Sequence, residues 1–245
     1  MKKFFFFLFM TGAFLSQSQA REKMFYDFEE NDELSALGMK FETDKSPLCH
    51  NYTRIYESYF RHIKKKPIKF LEIGIFQGSS VRMWEEYFPK ADLHFIDITY
   101  EHMLLQPKRA SLYLCDQSKK EDLEALIEKI GGEFDVIIDD GGHYMDQQII
   151  SFETLFPHLK SGGLYVIEDL HTSYWEKYNG NKRGRGKKNA MGYLKNLLNE
   201  VNFVGSTIGT PSRVHPFLRP PELSDLQRDI LSITFYDSLC FIVKR

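Results

Sequence analysis

The segment FDVIIDDGGH, residues 134–143, runs from an apolar stretch straight into Asp139, Asp140, two glycines and His143. A second apolar run, GGLYVIED, ends in Glu168 and Asp169. If neighbouring strands bring Asp140, Glu168 and Asp169 together, three hard oxygen donors converge with room for water and a substrate. That set suits magnesium or a similar divalent cation and does not suit zinc. Left without a cation, such carboxylates repel one another and their pKa values rise. An imidazole three residues beyond Asp140 could face whatever the cation holds, and imidazole ordinarily titrates near neutrality. His143 is therefore the candidate general base for a hydroxyl. The plainer alternative is that Asp139 or Asp140 caps the next helix and His143 is merely exposed. His171 is expected at the surface or behind the site.

Three further apolar runs also end in carboxylates. KFLEIGI carries Glu72 and Gly74, DLHFIDI carries Asp97, and ASLYLCD ends at Asp116. Gly74 and Gly78, in LEIGIFQGSS, would let the backbone turn tightly and approach a ligand before Ser79 or Ser80 caps the following helix. This is neither the dinucleotide fingerprint G-x-G-x-x-G nor a phosphate loop. Asp97 is placed to accept two ribose hydroxyls, and Asp116 could accept from an adenine amino group. Taken singly, each could equally be a solvated acid at a loop entrance.

The elements that must hold these residues are legible from periodicity. Tyr52, Ile55, Tyr56, Tyr59 and Ile63 recur at helical spacing. From Lys69 onward, five short apolar strands alternate with amphipathic helices. One of these carries Val81, Trp84 and Phe88 on one face. The next begins with a capping box from Ser118 to Glu121, and a third spans about Asp146 to Phe156. The alternation predicts a parallel sheet covered on both faces, in which ligands bind beyond the carboxyl ends of the strands. After the fifth strand come a basic stretch, KYNGNKRGRGKK, and a helix with Met191, Leu194, Leu198 and Val201 on one side. A proline-marked loop from about Gly209 to Pro221 precedes ILSITFYDSLCFIVKR, which reads as an antiparallel hairpin. The fold class expected is α/β, a Rossmann-like, doubly wound, mostly parallel seven-stranded sheet with a C-terminal antiparallel hairpin.

The first twenty residues stand apart. Lys2 and Lys3, an apolar run from Phe4 to about Leu15, and Ser18 and Ala20 match a secretory signal cleaved after Ala20. An uncleaved membrane anchor is the second reading, although the run is short for a bilayer span. The segment carries two lysines and no acid, so its removal takes the formal charge from −2 to −4. No global basic field argues for nucleic acid. Cys49, Cys115 and Cys240 are too few and too scattered for a disulfide framework or a zinc site, and packing is their expected role. The division expected is a signal over 1–20, an irregular lead over 21–45 and one domain over 46–245.

At these residues the chain resembles the class I S-adenosylmethionine-dependent methyltransferases. More narrowly, it is similar to the metal-dependent sugar O-methyltransferases of macrolide biosynthesis, the mycinamicin and macrocin type, with cephalosporin-hydroxylase-like relatives. The stretches that carry the resemblance are TDKSPLCHNYTRIYESYF, FLEIGIFQGSSVRMWEEYFPKADLHFIDI, CDQS, FDVIIDDGGH, LFPHLKSGGLYVIEDLHTSYW and FYDSLCFIVK, roughly Thr43 to Lys244. The resemblance implies a cofactor site at Glu72, Gly74, Asp97, Asp116, Gln117, Ser118 and Asp140, with Tyr52 on an N-terminal stretch that closes over it. It implies Mg2+ or another hard divalent cation at Asp140, Glu168 and Asp169, and His143 as base. The acceptor implied is a small molecule or glycan with vicinal hydroxyls.

The segment after the fifth strand departs from the family in its basic residues, Lys177, Lys182, Arg183, Arg185, Lys187 and Lys188. These could select an acidic acceptor or simply form a solvated loop. Two other functions remain open: an exported cofactor- or glycan-binding protein without transferase activity, and a metal-dependent hydrolase. Export favours the first, since S-adenosylmethionine is made in the cytoplasm, and a homo-oligomer is compatible with all three.

Overall fold

The computed structural model describes residues 32–203 and 223–245. The segment expected to be a signal and the proline-marked loop lie outside the described residues. Seven strands form one sheet: β1 (Lys69–Ile73), β2 (Asp92–Asp97), β3 (Ser111–Leu114), β4 (Phe134–Asp139), β5 (Leu159–Ile167), β6 (Ile230–Tyr236) and β7 (Leu239–Lys244). Their spatial order is β3-β2-β1-β4-β5-β7-β6. The first five pair in parallel, and β7 pairs antiparallel with both β5 and β6. This is the sheet expected from the alternating pattern.

Each central strand is a near-continuous apolar run because it is covered on both faces. On one face Phe70, Phe95, Val136, Val166 and Phe241 pack with Trp84 of α3 (Ser79–Tyr87), Phe88 at its C-cap, and Tyr56 and Phe60 of α2 (Tyr52–Phe60). On the other, Leu71, Ile96, Ile137 and Tyr165 meet Leu123 of α4 (Lys120–Ile130), Phe152 of α5 (Met145–Leu155) and Leu194 of α6 (Ala190–Val201). A short helix, α7 (Asp225–Asp229), leads into β6. Among the described residues, no helix is long and apolar enough to cross a membrane.

Local details differ from the sequence reading. The lead is not irregular where it is described: α1 (Glu33–Lys40) is capped by Asp32, whose side chain accepts from Ser35 N, and buries Leu34 and Leu37 in the core. A polar composition hid a helix that needs only two apolar contacts. Neither serine caps α3. Its N-cap is Gly78 at φ +83°, where a side chain would strike the Leu105 carbonyl oxygen. The capping box at Ser118 does not form either, because Asp116 captures the Ser118 hydroxyl at 2.6 Å and α4 begins two residues later. Cys115 and Cys240 are packed as expected, whereas Cys49 is exposed.

Candidate active site

The carboxyl ends of β1, β2, β3 and β4 face one another across a cavity of about 400 Å3, within the range of small-molecule sites. Gly74, Asp97, Asp116, Gln117, Asp140 and His143 line it, and so does Asp44 of the N-terminal segment. β1 can pass this close to β4 because Gly74, at φ +104°, has no side chain. A Cβ there would collide with the Asp140 carbonyl oxygen.

Asp97 organises the turn after β1. Its Oδ2 accepts from Ile75 N at 2.8 Å and Phe76 N at 3.1 Å, and its Oδ1 accepts from Thr99 N at 3.2 Å. A carboxylate oxygen accepts more than one hydrogen bond, so Asp97 can still meet hydroxyls from the cavity. Asp116 accepts from the Ser118 hydroxyl and backbone N–H, with Lys119 at 3.3 Å, and these hold its carboxyl below the usual range. Gln117 is buried and used as a brace: its amide donates to Asp139 at 3.0 Å and its carbonyl accepts from Gly142 N at 2.7 Å. It fixes the DDGG turn that carries Asp140 and His143. Neither aspartate caps α5, whose N-cap is Tyr144.

The strand-end acids do not stand alone. Lys45, fully buried, reaches down from the segment between α1 and α2 and places its ammonium 3.0 Å from Glu168 Oε2, 3.4 Å from Glu72 Oε1 and against Asp140 Oδ2. Burial alone would lower the pKa of this amine; the charges of Asp140, Glu168 and Glu72 outweigh it and raise it. Burial in turn drives the carboxyls upward, Glu72 to about 8 and Glu168 well above its usual range, against the pull of Lys45. Tyr56 donates to Glu168 Oε1 at 2.6 Å, and Tyr52 donates to Asp169 Oδ1 at 2.8 Å.

Asp140 thus belongs to two groups of donors. The inner one, with Glu72 and Glu168, already holds an ammonium. The outer one combines Asp140, His143 and Asp169, with ligand atoms within 4.8 Å of one another. His143 Nε2 lies 3.4 Å from Asp169 Oδ2. Burial works to raise Asp169, but His143 and the Tyr52 hydroxyl outweigh it and leave that carboxyl below its usual range. His143 at φ +58° and Asp169 at φ +56° are both non-glycine residues in the left-handed region. Such strain concentrates at functional sites. The three acids expected to hold a cation are divided between these groups, Glu168 in the inner, Asp169 in the outer and Asp140 common to both; their hard oxygens suit a magnesium-like cation in chemistry.

Of the residues expected at the cofactor, Gly74, Asp97, Asp116, Gln117 and Asp140 line the cavity. Glu72 lies behind it on Lys45, Ser118 is turned onto Asp116, and Tyr52 onto Asp169. Lys45 was not foreseen. The signal was there, since five strands ending in acids call for a cation and TDKSP places Lys45 shortly before α2.

This sheet, with ligand-facing acids at the ends of parallel strands and an antiparallel β7 inserted beside β5, is the Rossmann-like fold of the class I S-adenosylmethionine-dependent methyltransferases. No protein-family model matches the chain. It is, however, similar in sequence to several O-methyltransferases that act on sugar-bearing natural products by name. It is 33% identical to 8-demethyl-8-alpha-L-rhamnosyl tetracenomycin-C 2'-O-methyltransferase of Streptomyces olivaceus, over 86% of this chain and 54% of that one. It is 31% identical to mycinamicin VI 2''-O-methyltransferase of Micromonospora griseorubida, over 86% of this chain and 52% of the relative. Among solved structures, the MycE methyltransferase in complex with Mg, SAH and mycinamycin VI superposes with a TM-score of 0.72 at 29% identity. That match covers 88% of this chain and 55% of MycE. The chain spans about half the length of the relatives it matches.

Proposed function

We propose that this chain is a metal-dependent O-methyltransferase that moves a methyl group from S-adenosylmethionine to a hydroxyl of a sugar, glycan or similar small molecule. The observation that carries the reading is the placement of His143, 3.4 Å from Asp169 and on the rim of the cavity that Gly74 and Asp97 shape for a nucleoside. Base, acidic donors and nucleoside cavity share one sheet edge. The names of two relatives, a rhamnosyl tetracenomycin-C 2'-O-methyltransferase and an L-olivosyl-oleandolide 3-O-methyltransferase, support the acceptor class.

In this account Asp97 takes the ribose hydroxyls, Asp116 faces the adenine amino group, and Gly74 lets the cofactor lie against the backbone. Asp140, Glu168 and Asp169 would hold magnesium, which when bound orients a diol and lowers the pKa of its reacting hydroxyl. His143 takes the hydroxyl proton at Nε2, and Asp169 stabilises the imidazolium that results. The oxygen then attacks the sulfonium methyl in line, the carbon–sulfur bond breaks, and the sulfide leaves uncharged. No oxyanion hole is needed.

A hydrolase would use the same acids to activate water but would leave the cavity between Gly74, Asp97 and Asp116 without a role. A binding protein would need no base beside the acids. Export after Ala20 remains part of the proposal, with the cofactor supply outside the cytoplasm as its consequence. The test is incubation of the full chain with S-adenosylmethionine, magnesium and a panel of methyl glycosides, read by mass spectrometry. A product heavier by one methylene, lost in chelator, supports the reading; S-adenosylmethionine left unbound and unconsumed across the panel contradicts it.

A further inference from the structure

Beyond the acids, a continuous line of aromatic rings runs around Asp169. Tyr52 stacks on His50 with centroids 5.0 Å apart, His50 faces His171 at 5.9 Å, and His171 meets Trp175 edge-on at 4.7 Å. Trp175 lies 6.1 Å from Tyr178, which contacts His143 at 6.3 Å and Tyr144 at 5.5 Å. The chain of rings thus begins at the hydroxyl bonded to Asp169 and ends at the candidate base.

The outer members of this line are open to solvent: Trp175 is 50% exposed and Tyr144 38%. They are nonetheless firmly held. Asp169, at φ +56°, turns the chain out of β5 into a short helical segment, Leu170–Tyr174. Gly180 N donates to the Trp175 carbonyl at 3.0 Å, and Asn181 N and the Asn189 amide donate to the Ser173 carbonyl at 2.9 and 2.6 Å. Braced backbone carrying an exposed indole beside a reaction centre is the arrangement of a binding platform. Small-molecule sites pair apolar and aromatic walls with a few placed polar groups.

We propose that Trp175, Tyr178 and Tyr144 form the acceptor subsite and take the C–H face of a pyranose ring, leaving its hydroxyl edge toward His143 and Asp169. The inference rests on the transferase reading and deepens it by assigning residues to the acceptor. Two features select the ligand. The electron-rich ring faces attract the slightly positive C–H groups that a cyclic sugar presents on one side. Asp169 and His143, 3.4 Å apart at the two ends of the aromatic line, supply acceptors for hydroxyls, and His143 lies on the cavity rim. The acyclic alditol of the same sugar has the hydroxyls without the flat face.

The chain carries two tryptophans, and Trp84 is buried in the core, so a solvent-sensitive change in indole emission reports Trp175. The full chain, with Mg2+ and S-adenosylhomocysteine present, is titrated with methyl α-L-rhamnopyranoside and the methyl glycosides of glucose, mannose and galactose. The acyclic rhamnitol is the control. The expected result is a saturable emission change with at least one glycoside and none with rhamnitol. By calorimetry, affinity for that glycoside falls about two- to tenfold in Tyr178→Ala and Trp175→Ala, the loss of one well-packed aromatic contact. Binding of S-adenosylhomocysteine, measured first on the same sample, tests the transferase reading separately. If it binds and no glycoside perturbs the emission, or if the two alanine variants bind glycoside as wild type does, the subsite is misplaced. If glycoside binds and S-adenosylhomocysteine does not, the subsite stands and the transferase reading falls.

Discussion

The ammonium of Lys45 lies 3.0 Å from Glu168 Oε2, and both side chains are buried, 123 residues apart in the chain. This pair ties the N-terminal segment to the end of β5. Tyr52 on Asp169 and Tyr56 on Glu168 tie it at two further points. The acids of the candidate metal site are thus held from above by groups that the parallel sheet does not supply. Lys45→Met is expected to cost about 3–5 kcal/mol in chelator, the penalty of stranding buried charge. Adding Glu168→Gln should return part of that loss. Urea unfolding of the single and double variants checks this, and strictly additive effects would show that the two residues do not interact.

His143 holds the proton-accepting role. His143→Ala is expected to lower kcat by about 10²–10⁴, the usual worth of a positioned base, with affinity for S-adenosylmethionine unchanged. Single-turnover methyl transfer with cofactor and magnesium saturating is the measurement, and wild-type turnover would remove the assignment.

Asp97 shapes the turn after β1 and is assigned to the ribose. Asp97→Ala removes charge-assisted hydrogen bonds worth about 1.5–3 kcal/mol, so cofactor affinity should fall about 10- to 100-fold. An unchanged Kd by calorimetry would place the ribose elsewhere.

Asp139 is fully buried, and burial pushes its carboxyl up to about 6 from an ordinary 3.8, against the hydrogen bond from Gln117. The fold therefore favours its protonated form. The increment is present at low pH and lost as pH rises through about 6, whereas Asp139→Asn has no such slope. In chelator, the stability of wild type relative to Asp139→Asn should fall by up to roughly 3 kcal/mol between pH 4 and pH 7. A difference that stays flat or grows with pH contradicts this.

The cysteines should react unequally. Cys49 is exposed, while burial pushes the Cys115 thiol up to about 11 and raises Cys240 as well. At pH 8 a disulfide reagent should titrate one thiol quickly, and Cys49→Ser should abolish that phase.

The sheet was legible because its five parallel strands are apolar runs of strand length set between amphipathic helices, a pattern that local physics alone imposes. The hairpin was legible for the same reason. Asp97, Asp116, Asp140 and His143 could be found because they terminate those runs. What lay beyond the sequence was pairing across long separations. Glu72 reads as a cavity residue until Lys45 is seen beneath it, and Ser118 reads as a helix cap until Asp116 takes its hydroxyl. The line of rings from Tyr52 to His143 has no periodicity, since it is assembled from three separate segments. Helix α1 escaped notice because only two of its residues pack into the apolar core.

The central claim, that the strand-end acids and Gly74 build a site for S-adenosylmethionine beside a divalent cation, is tested most directly by calorimetric titration of the full chain with that cofactor, in magnesium and again in chelator. The account predicts saturable binding at micromolar strength, weakened by Asp97→Ala. No heat of binding under either condition, from protein whose fold is intact by circular dichroism, would contradict it.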